Sequence, residues 1–246
     1  MTKAAAAKSW NGLLSTWPDG SQHSVPGTYD TTFPSALLPF NDAGIFKLGG
    51  TDGLDWNDPQ SSIGSCYASV FAGTDDDCIA CLPNRFTPNK HWVWIKYFAA
   101  AGYTPPSTQE VGIYVAQSIA AHSAKGYECN FGFGNTVQHV RWNGPHSNFD
   151  TGVFTTVSGT GFSLANGDTA LALLDSTSGS PIISMWKNIA LVNVLSSLST
   201  TPDFKVTDTT AGKILTGSPG MGFFVRSGTG ADRTKVCITE WYAGSA

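Results

Sequence analysis

Tyr127-Glu-Cys-Asn-Phe-Gly-Phe133 and Thr136-Val-Gln-His-Val-Arg-Trp142 are two stretches of alternating side chains, and Gly134-Asn135 lies between them. A Gly-Asn pair in this position is typical of a β-hairpin with a type II′ turn, because glycine accepts the positive φ of the first turn position. The hairpin predicts one apolar face and one polar face. It therefore indicates an all-β fold.

The expected register of this hairpin brings polar side chains together. Asn130 falls opposite His139 and Glu128 falls opposite Arg141, so the four side chains share one face. Tyr114 could join them from the preceding strand. These five residues predict a binding surface. The alternative is that Glu128 and Arg141 form an ordinary cross-strand pair, worth roughly a few tenths of a kcal/mol.

Short strand patterns recur through the rest of the chain, separated by clusters of Gly, Pro, Asp and Ser. Such spacing predicts a sandwich or barrel of antiparallel sheets, preceded by a partly irregular N-terminal arm. We expect one domain over residues 31–246. Apart from the hairpin, the predicted strands are 91–98, 110–117, 154–157, 169–174, 182–186, 189–195, 222–226 and 235–242.

The composition restricts the class of partner. Only 13% of the 246 residues are charged and the net charge is −4, with no basic patch, so we expect no nucleic-acid partner. No run of 18 apolar residues occurs, so we expect no membrane span.

Residues 1–30 form a segment rich in Ala, Ser, Gly, Asp and Pro, with Trp10 and Trp17 as large apolar side chains. Because exposure of two Trp residues is unfavourable, we expect this arm to dock on its own domain or on another protein subunit, such as a capsid or particle surface. The segment lacks the pattern of a secretory signal. We expect a virion or extracellular location.

Five cysteines is an odd number. Cys129 and Cys237 lie in apolar strand patterns and are expected to be small buried hydrophobes. Cys66, Cys78 and Cys81 lie within 16 residues of one another, so they could form one disulfide with one thiol left over. A zinc site that adds His91 is the alternative, although a single Cys-x-x-Cys is a weak signal.

Two clusters of acidic residues suggest a calcium site, which is the alternative to a protein without cofactors. The two clusters are Asp75–Asp77 and the group Asp52, Asp55 and Asp58. Neither has the spacing of a calcium-binding loop, and acidic turns are commonly only solvated, so we expect no cofactor. Trp92 and Trp94 share one strand face and could form a sugar-stacking platform. Burial in the core is the more common role of such a pair.

From about Lys90 to the C-terminus the chain resembles the concanavalin A-like lectin/glucanase jelly rolls, in their laminin-G-like bacterial and phage branch. The motifs that carry the resemblance occur in the expected order over about 150 residues: Val111-Gly-Ile-Tyr-Val115, the 126–143 hairpin, Leu164-Ala-Asn-Gly-Asp-Thr-Ala-Leu-Ala-Leu-Leu174, Trp186-Lys-Asn188, Gly217-Ser-Pro-Gly-Met-Gly-Phe-Phe224 and Val236-Cys-Ile-Thr-Glu-Trp-Tyr242. The resemblance implies that residues 31–246 form a single antiparallel jelly-roll sandwich of two curved sheets, with the concave sheet as a glycan or partner surface. This fold hosts lectins, glucanases, lyases and virion proteins, so it does not decide function.

Catalytic motifs of such folds are incomplete in this chain. Its three glutamates, Glu110, Glu128 and Glu240, do not form Glu-x-Asp-x-x-Glu, the pattern that places two carboxylates about 5 Å apart. Gln138 and His139 are adjacent, whereas the lyase pattern Gln-x-His puts both on one face. We therefore favour a protein without catalytic activity.

The leading interpretation is a non-catalytic jelly-roll protein for assembly or binding. It would be a structural or decoration subunit of a virion or extracellular particle, with glycan binding as a further role. The alternative is a polysaccharide lyase or glycoside hydrolase acting on the concave face. There His139 or a Tyr would be the base, and Arg141 and Asn130 would neutralise a uronate carboxylate.

Overall fold

The structure is a computed structural model that describes the regular part of the chain. The described residues are 28–31, 47–48, 56–57, 60–62, 65–67, 75–81, 89–105, 109–120, 123–131, 136–144, 149–158, 164–226 and 233–246.

These residues form two large sheets, each of eight strands. The first sheet contains, in spatial order, β14 (Phe204–Thr207), β13 (Ile182–Lys187), β12 (Thr169–Asp175), β7 (Lys90–Ala99), β16 (Val236–Ser245), β5 (Ser65–Tyr67) and β4 (Gln60–Ser62), and β1 (Thr28–Thr31) pairs with β16. The second sheet contains β11 (Phe149–Ser158), β10 (Thr136–Gly144), β9 (Ser123–Phe131), β8 (Gln109–Ala120), β15 (Ser218–Arg226), β6 (Asp75–Cys81) and β2 (Lys47–Leu48), and β3 (Trp56–Asn57) pairs with β6.

Nearly all of the pairing is antiparallel, which confirms the predicted jelly-roll sandwich. The parallel pair is β3 with β6. Because β1 pairs with β16, the last residues of the proposed N-terminal arm belong to the first sheet. No helix among the described residues is long and apolar enough to cross a membrane.

The main core lies between the two sheets, where alternate residues of neighbouring strands meet. From the first sheet, β7 contributes Val93, Ile95 and Tyr97. From the second sheet, β8 contributes Val111, Ile113 and Val115. This alternation follows from the period of two along a strand, and it defines an inward and an outward face for each sheet.

The outward face of the first sheet carries a second apolar cluster that includes Trp92 and Trp94. Both indoles are buried, which favours their structural role over a sugar-stacking platform. Residues 189–198 lie on them and are called the covering segment. In this segment a 3₁₀ turn (Leu191–Asn193) leads into the helix α1 (Val194–Ser197). The Trp94 Nε1–H donates to the Ile189 carbonyl at 2.7 Å and fixes the start of this segment.

The predicted strand 189–195 is therefore wrong. Asn188 has a φ of +60°, which turns the chain out of β13, and β14 rather than residues 189–195 pairs with β13. Leu191, Val194 and Leu198 pack on the indoles at the spacing of a helix, so tertiary packing overrides the strand preference of the β-branched residues.

A β-bulge interrupts β8 between Val115 and Ser118. Ala116 has a φ of +56° there, and the Gln117 side chain fills the gap in the ladder by donating to the Lys125 carbonyl (3.2 Å) and accepting from the Tyr127 N–H (3.3 Å). Gly126 has a φ of +146°, and a Cβ there would collide with the end of the Gln117 side chain and lie 2.9 Å from the Ala116 carbonyl oxygen, so the bulge requires glycine opposite it.

The structure also revises the predictions for the cysteine cluster and for the acidic residues Asp75–Asp77. Cys81, Cys129 and Cys237 are buried thiols, so the two predicted as small buried hydrophobes are confirmed and Cys81 takes no part in the suggested disulfide. Cys66 lies in the first sheet, whereas Cys78 and Cys81 lie in the second. Asp75–Asp77 do not form a turn: they belong to β6, because they pair with the end of β15.

Candidate functional site

The hairpin that carries the predicted site exists, but its register differs by one residue from the prediction. His139 pairs with Cys129, Val140 with Glu128 and Arg141 with Tyr127. The predicted turn residues lie outside the described part of the chain. A shift of one residue moves every side chain of one strand to the other face relative to its partner strand.

The five predicted site residues are consequently divided between two faces of the second sheet. His139 and Arg141 point between the sheets, on the same face as Tyr127 and Cys129. The other three, Tyr114, Glu128 and Asn130, lie on the outward face. The predicted convergence of all five residues on one face is therefore wrong. The apolar residues of β9 pair with the face of β10 that carries Val137, not with the face that carries Trp142.

The inward group is centred on the Asp208 carboxylate, which follows β14. The Arg141 Nη1–H donates to Asp208 Oδ2 at 2.7 Å, and the Tyr127 hydroxyl donates to the same oxygen at 2.7 Å. The second oxygen accepts from the N–H and the hydroxyl of Thr210, at 2.9 and 2.7 Å. Burial would raise the pKa of Asp208, but these hydrogen bonds outweigh burial and lower the pKa below its usual value.

His139 lies beside this group without a hydrogen-bond partner. Its ring stacks on Phe204 of β14, with ring centres 5.0 Å apart and an interplanar angle of 20°. Neither ring nitrogen has a partner, and burial lowers the pKa of the imidazole from 6.5 to about 3. The ring is therefore neutral at physiological pH and acts as a packed aromatic side chain. Its position between the sheets does not suit the proposed role as a catalytic base.

The outward group is built on Tyr114, Glu128, Asn130 and Trp142. Tyr114 pairs with Glu128 across β8 and β9, and the Trp142 Nε1–H donates to Glu128 Oε2 at 2.9 Å. The Tyr114 ring lies along the backbone of β15, where a Cβ on Gly222 would meet the ring at 2.1 Å. Glycine at 222 therefore makes room for an aromatic ring that lies flat on the sheet.

Asn130 is the unsatisfied member of this group. It is 1% exposed, and neither the oxygen nor the nitrogen of its side-chain amide has a hydrogen-bond partner. A buried amide without partners costs about 1–3 kcal/mol, so such a group calls for a partner such as a water or a ligand. We define Tyr114, Glu128, Asn130 and Trp142 as the outer-face site.

Sequence reasoning missed several residues of these groups, among them Trp142 and Asp208. Trp142 could have been found with the correct register, since it alternates with Val140 on the outward face. Asp208 carries no sequence signal that relates it to Arg141, because 67 residues separate them.

Comparison with known structures supports the architecture. The metal-free exoplasmic/lumenal domain of VIP36 matches with a TM-score of 0.51 and 6% identity, over 89% of this chain and 91% of that chain. The Emp47p carbohydrate recognition domain has a TM-score of 0.49 and 9% identity, over 82% and 89% of the two chains. Peanut lectin has a TM-score of 0.45 and 11% identity, over 89% and 97%. No protein-family model and no curated protein sequence matches.

The chain therefore shares its two-sheet fold with the VIP36 exoplasmic/lumenal domain. At this identity the likeness concerns the fold alone, so the function of this chain depends on its own residues. Among the side chains that the structure describes, no group of three His, Cys, Asp or Glu residues could hold a metal ion.

The three glutamates of the chain are far apart. Glu240 belongs to the first sheet, where its carboxylate accepts from Lys96 Nζ at 2.9 Å. Glu128 pairs with Tyr114, which is four residues, or about 13 Å of strand, from Glu110. This separation exceeds the roughly 5–9.5 Å between the two carboxylates of a glycosidase.

Proposed function

We propose that this protein is a non-catalytic carbohydrate-binding module and that the outer-face site contacts the sugar. The observation that carries the proposal is the Asn130 side chain, a buried amide with an unused donor and an unused acceptor. A ligand that supplies both partners would remove its desolvation cost.

Sugar hydroxyls have the required chemistry. Each hydroxyl both donates and accepts, so two neighbouring hydroxyls can satisfy the oxygen and the nitrogen of one amide. The Glu128 carboxylate, two residues along the same face of β9, supplies further acceptors beside this amide.

The burial of the outer-face site limits the size of the group that reaches it. Tyr114, Glu128 and Asn130 are all buried in the ligand-free chain. We therefore propose recognition of one terminal sugar, or of a protruding hydroxyl pair, rather than of a long polysaccharide lying along the sheet. This mode also disfavours the alternative of a polysaccharide-cleaving enzyme, for which the separated glutamates and the inward His139 offer no paired acid and base.

The experiment is a glycan array with the wild type and Asn130→Leu, a substitution of similar size without polar atoms. The matched control is Asn143→Leu, since Asn143 is half-buried on the same hairpin but lies on the opposite face by alternation. We expect the wild type and N143L to bind the same terminal sugars and N130L to lose binding. No binding by the wild type, or equal binding by N130L, would contradict the proposal.

A second candidate function is assembly, as a structural or decoration subunit of a virion or extracellular particle of bacterial or phage type. The observation that favours it is a pair of aliphatic side chains on the covering segment, Val192 and Leu195, which are 91% and 68% exposed. Exposed aliphatic pairs of this kind suit a protein contact. Residues 1–27, the part of the proposed arm before β1, would supply a second contact.

Assembly is tested by the native mass in solution. We expect a large particle for the full chain, and smaller species after deletion of residues 1–27 or after Val192→Ser with Leu195→Ser. A monomer in every case would exclude self-assembly. It would leave glycan binding as the function to pursue.

A further inference from the structure

Residues 204–216 form an edge flap that crosses from the first sheet to the second. The flap begins with β14, the four-residue edge strand, and continues through the loop that precedes β15. On the first sheet it is held by the β13–β14 ladder and by the Asp208 N–H, which donates to the Pro181 carbonyl at 2.9 Å.

Several further contacts tie the edge flap to the inward face of β9 and β10. The Phe204 ring stacks on His139, and Asp208 accepts from Arg141 and Tyr127. The Arg141 guanidinium also donates to the Thr210 hydroxyl. In the opposite direction, the Ile214 N–H of the flap donates to the Tyr127 hydroxyl at 2.9 Å.

Glycine lets the loop approach the guanidinium closely. A Cβ on Gly212 would lie 2.9 Å from Arg141 Nη2, so a larger residue there would push against the charged group that anchors the flap. The loop is thus shaped around Arg141.

We propose that the edge flap is an acid-released element: as the pH falls, it detaches from the second sheet while the rest of the sandwich stays folded. The proposal is independent of sugar binding, since the outer-face site lies on the other side of the sheet.

The reason is that the contacts made by His139 and by Asp208 depend on protonation. With the flap closed, His139 has no acceptor for an added proton, and its inward neighbours are the Arg141 cation, the Tyr127 hydroxyl and the Cys129 thiol. Asp208 is the anion of the group, and Arg141 and Tyr127 already use it. On the other edge of β10, the strand β11 pairs Thr155 with His139 and Asp150 with Arg141 in the backbone register.

Opening the flap hydrates the imidazole, so the open state binds a proton more readily than the closed state. The closed-state pKa of about 3 and the ordinary value of 6.5 set the window: opening becomes more favourable as the pH falls from 6.5 toward 3. Protonation of Asp208, whose pKa is lowered, acts later in acid and removes the partner of Arg141.

The test is hydrogen exchange followed by mass spectrometry between pH 7 and pH 4.5, corrected for the intrinsic pH dependence of exchange. In the wild type we expect exchange in residues 204–216 to rise at least about tenfold. Strand β7 should keep its protection over the same range. His139→Phe retains an aromatic ring on Phe204 and removes the titrating group, so its flap should stay protected.

Two further variants separate the flap from general acid sensitivity. Tyr127→Phe removes the hydroxyl that contacts both Asp208 and Ile214, so we expect faster flap exchange already at pH 7. Asp175→Asn is a control for a carboxylate that resembles Asp208 but lies outside the flap. Like Asp208, Asp175 accepts from a threonine two residues later and has a lowered pKa. Equal exchange of the flap and β7 in acid, or an unchanged acid response in H139F, would overturn the proposal.

Discussion

Asn130 and His139 lie on neighbouring strands and share an unusual property: each is a buried polar side chain without a hydrogen-bond partner. They face opposite sides of the second sheet, and their chemistry differs. The Asn130 amide stays neutral at every pH, so only a hydrogen-bond partner can remove the free-energy cost of its burial. The His139 imidazole can also gain a proton, so the free-energy cost of burying it depends on pH.

Asn130→Leu should stabilise the ligand-free protein. The substitution removes a buried amide that forms no hydrogen bonds, so the free energy of unfolding should rise by about 1–3 kcal/mol. Urea unfolding of N130L and the wild type measures the difference. If N130L loses sugar binding and gains stability, Asn130 is retained for function rather than for the fold. A large destabilisation by N130L would mean instead that the amide supports the fold.

His139→Phe should remove part of the acid sensitivity of the fold. The folded pKa of about 3 lies below the ordinary value of 6.5, so the neutral imidazole favours folding above pH 6.5 and this contribution is lost as the pH falls toward 3. Between pH 7 and pH 4.5 the loss is about 2–3 kcal/mol. Urea unfolding at both pH values should show it in the wild type and a smaller loss in H139F. Equal losses would place the acid sensitivity elsewhere.

At the scale of elements, the covering segment shows how tertiary packing decides between helix and strand. Its apolar residues alternate between burial on the indoles and exposure to solvent at intervals of three and four. The β-branched composition alone favours a strand, and only the presence of a second apolar surface on the first sheet explains the helical turn.

Val194→Ala and Val192→Ala form a matched pair in this segment. Val194 is 2% exposed and packs on the indole cluster, so truncation should cost about 2 kcal/mol of unfolding free energy. Val192 is almost fully exposed, and its truncation should change stability by no more than about 0.5 kcal/mol. Thermal unfolding of the two variants compares them directly. Equal effects would indicate that the segment does not pack on Trp92 and Trp94 as described.

The strands were largely predictable from sequence, whereas their register was not. The near-continuous apolar runs within Lys90–Ala99 and Thr169–Asp175 identify both strands, because a short apolar run rich in aromatic or aliphatic residues is a local signal. Register depends on the connection between strands and on which face the core requires. In the hairpin a shift of one residue kept both strands and separated Glu128 from Arg141.

At the scale of the whole molecule, the inward group exists only because the sandwich closes. Arg141 and Asp208 are far apart in sequence, and they meet because β14 lies at the edge of the first sheet and its following loop reaches the second. The sequence shows which side chains can form an ion pair but not which ones the topology brings together. The outer-face site was partly predictable, since Tyr114, Glu128 and Asn130 do share a face.

The most direct test of the central claim is the NMR signal of the Asn130 side-chain amide during titration with the terminal sugar selected by the array. Its two protons can be assigned by their absence from the spectrum of N130L. Binding at the outer-face site predicts that this NH₂ pair shifts strongly and becomes protected from exchange as sugar is added, while the Asn143 pair stays in place. A sugar that binds with shifts elsewhere and an unchanged Asn130 signal would contradict the account.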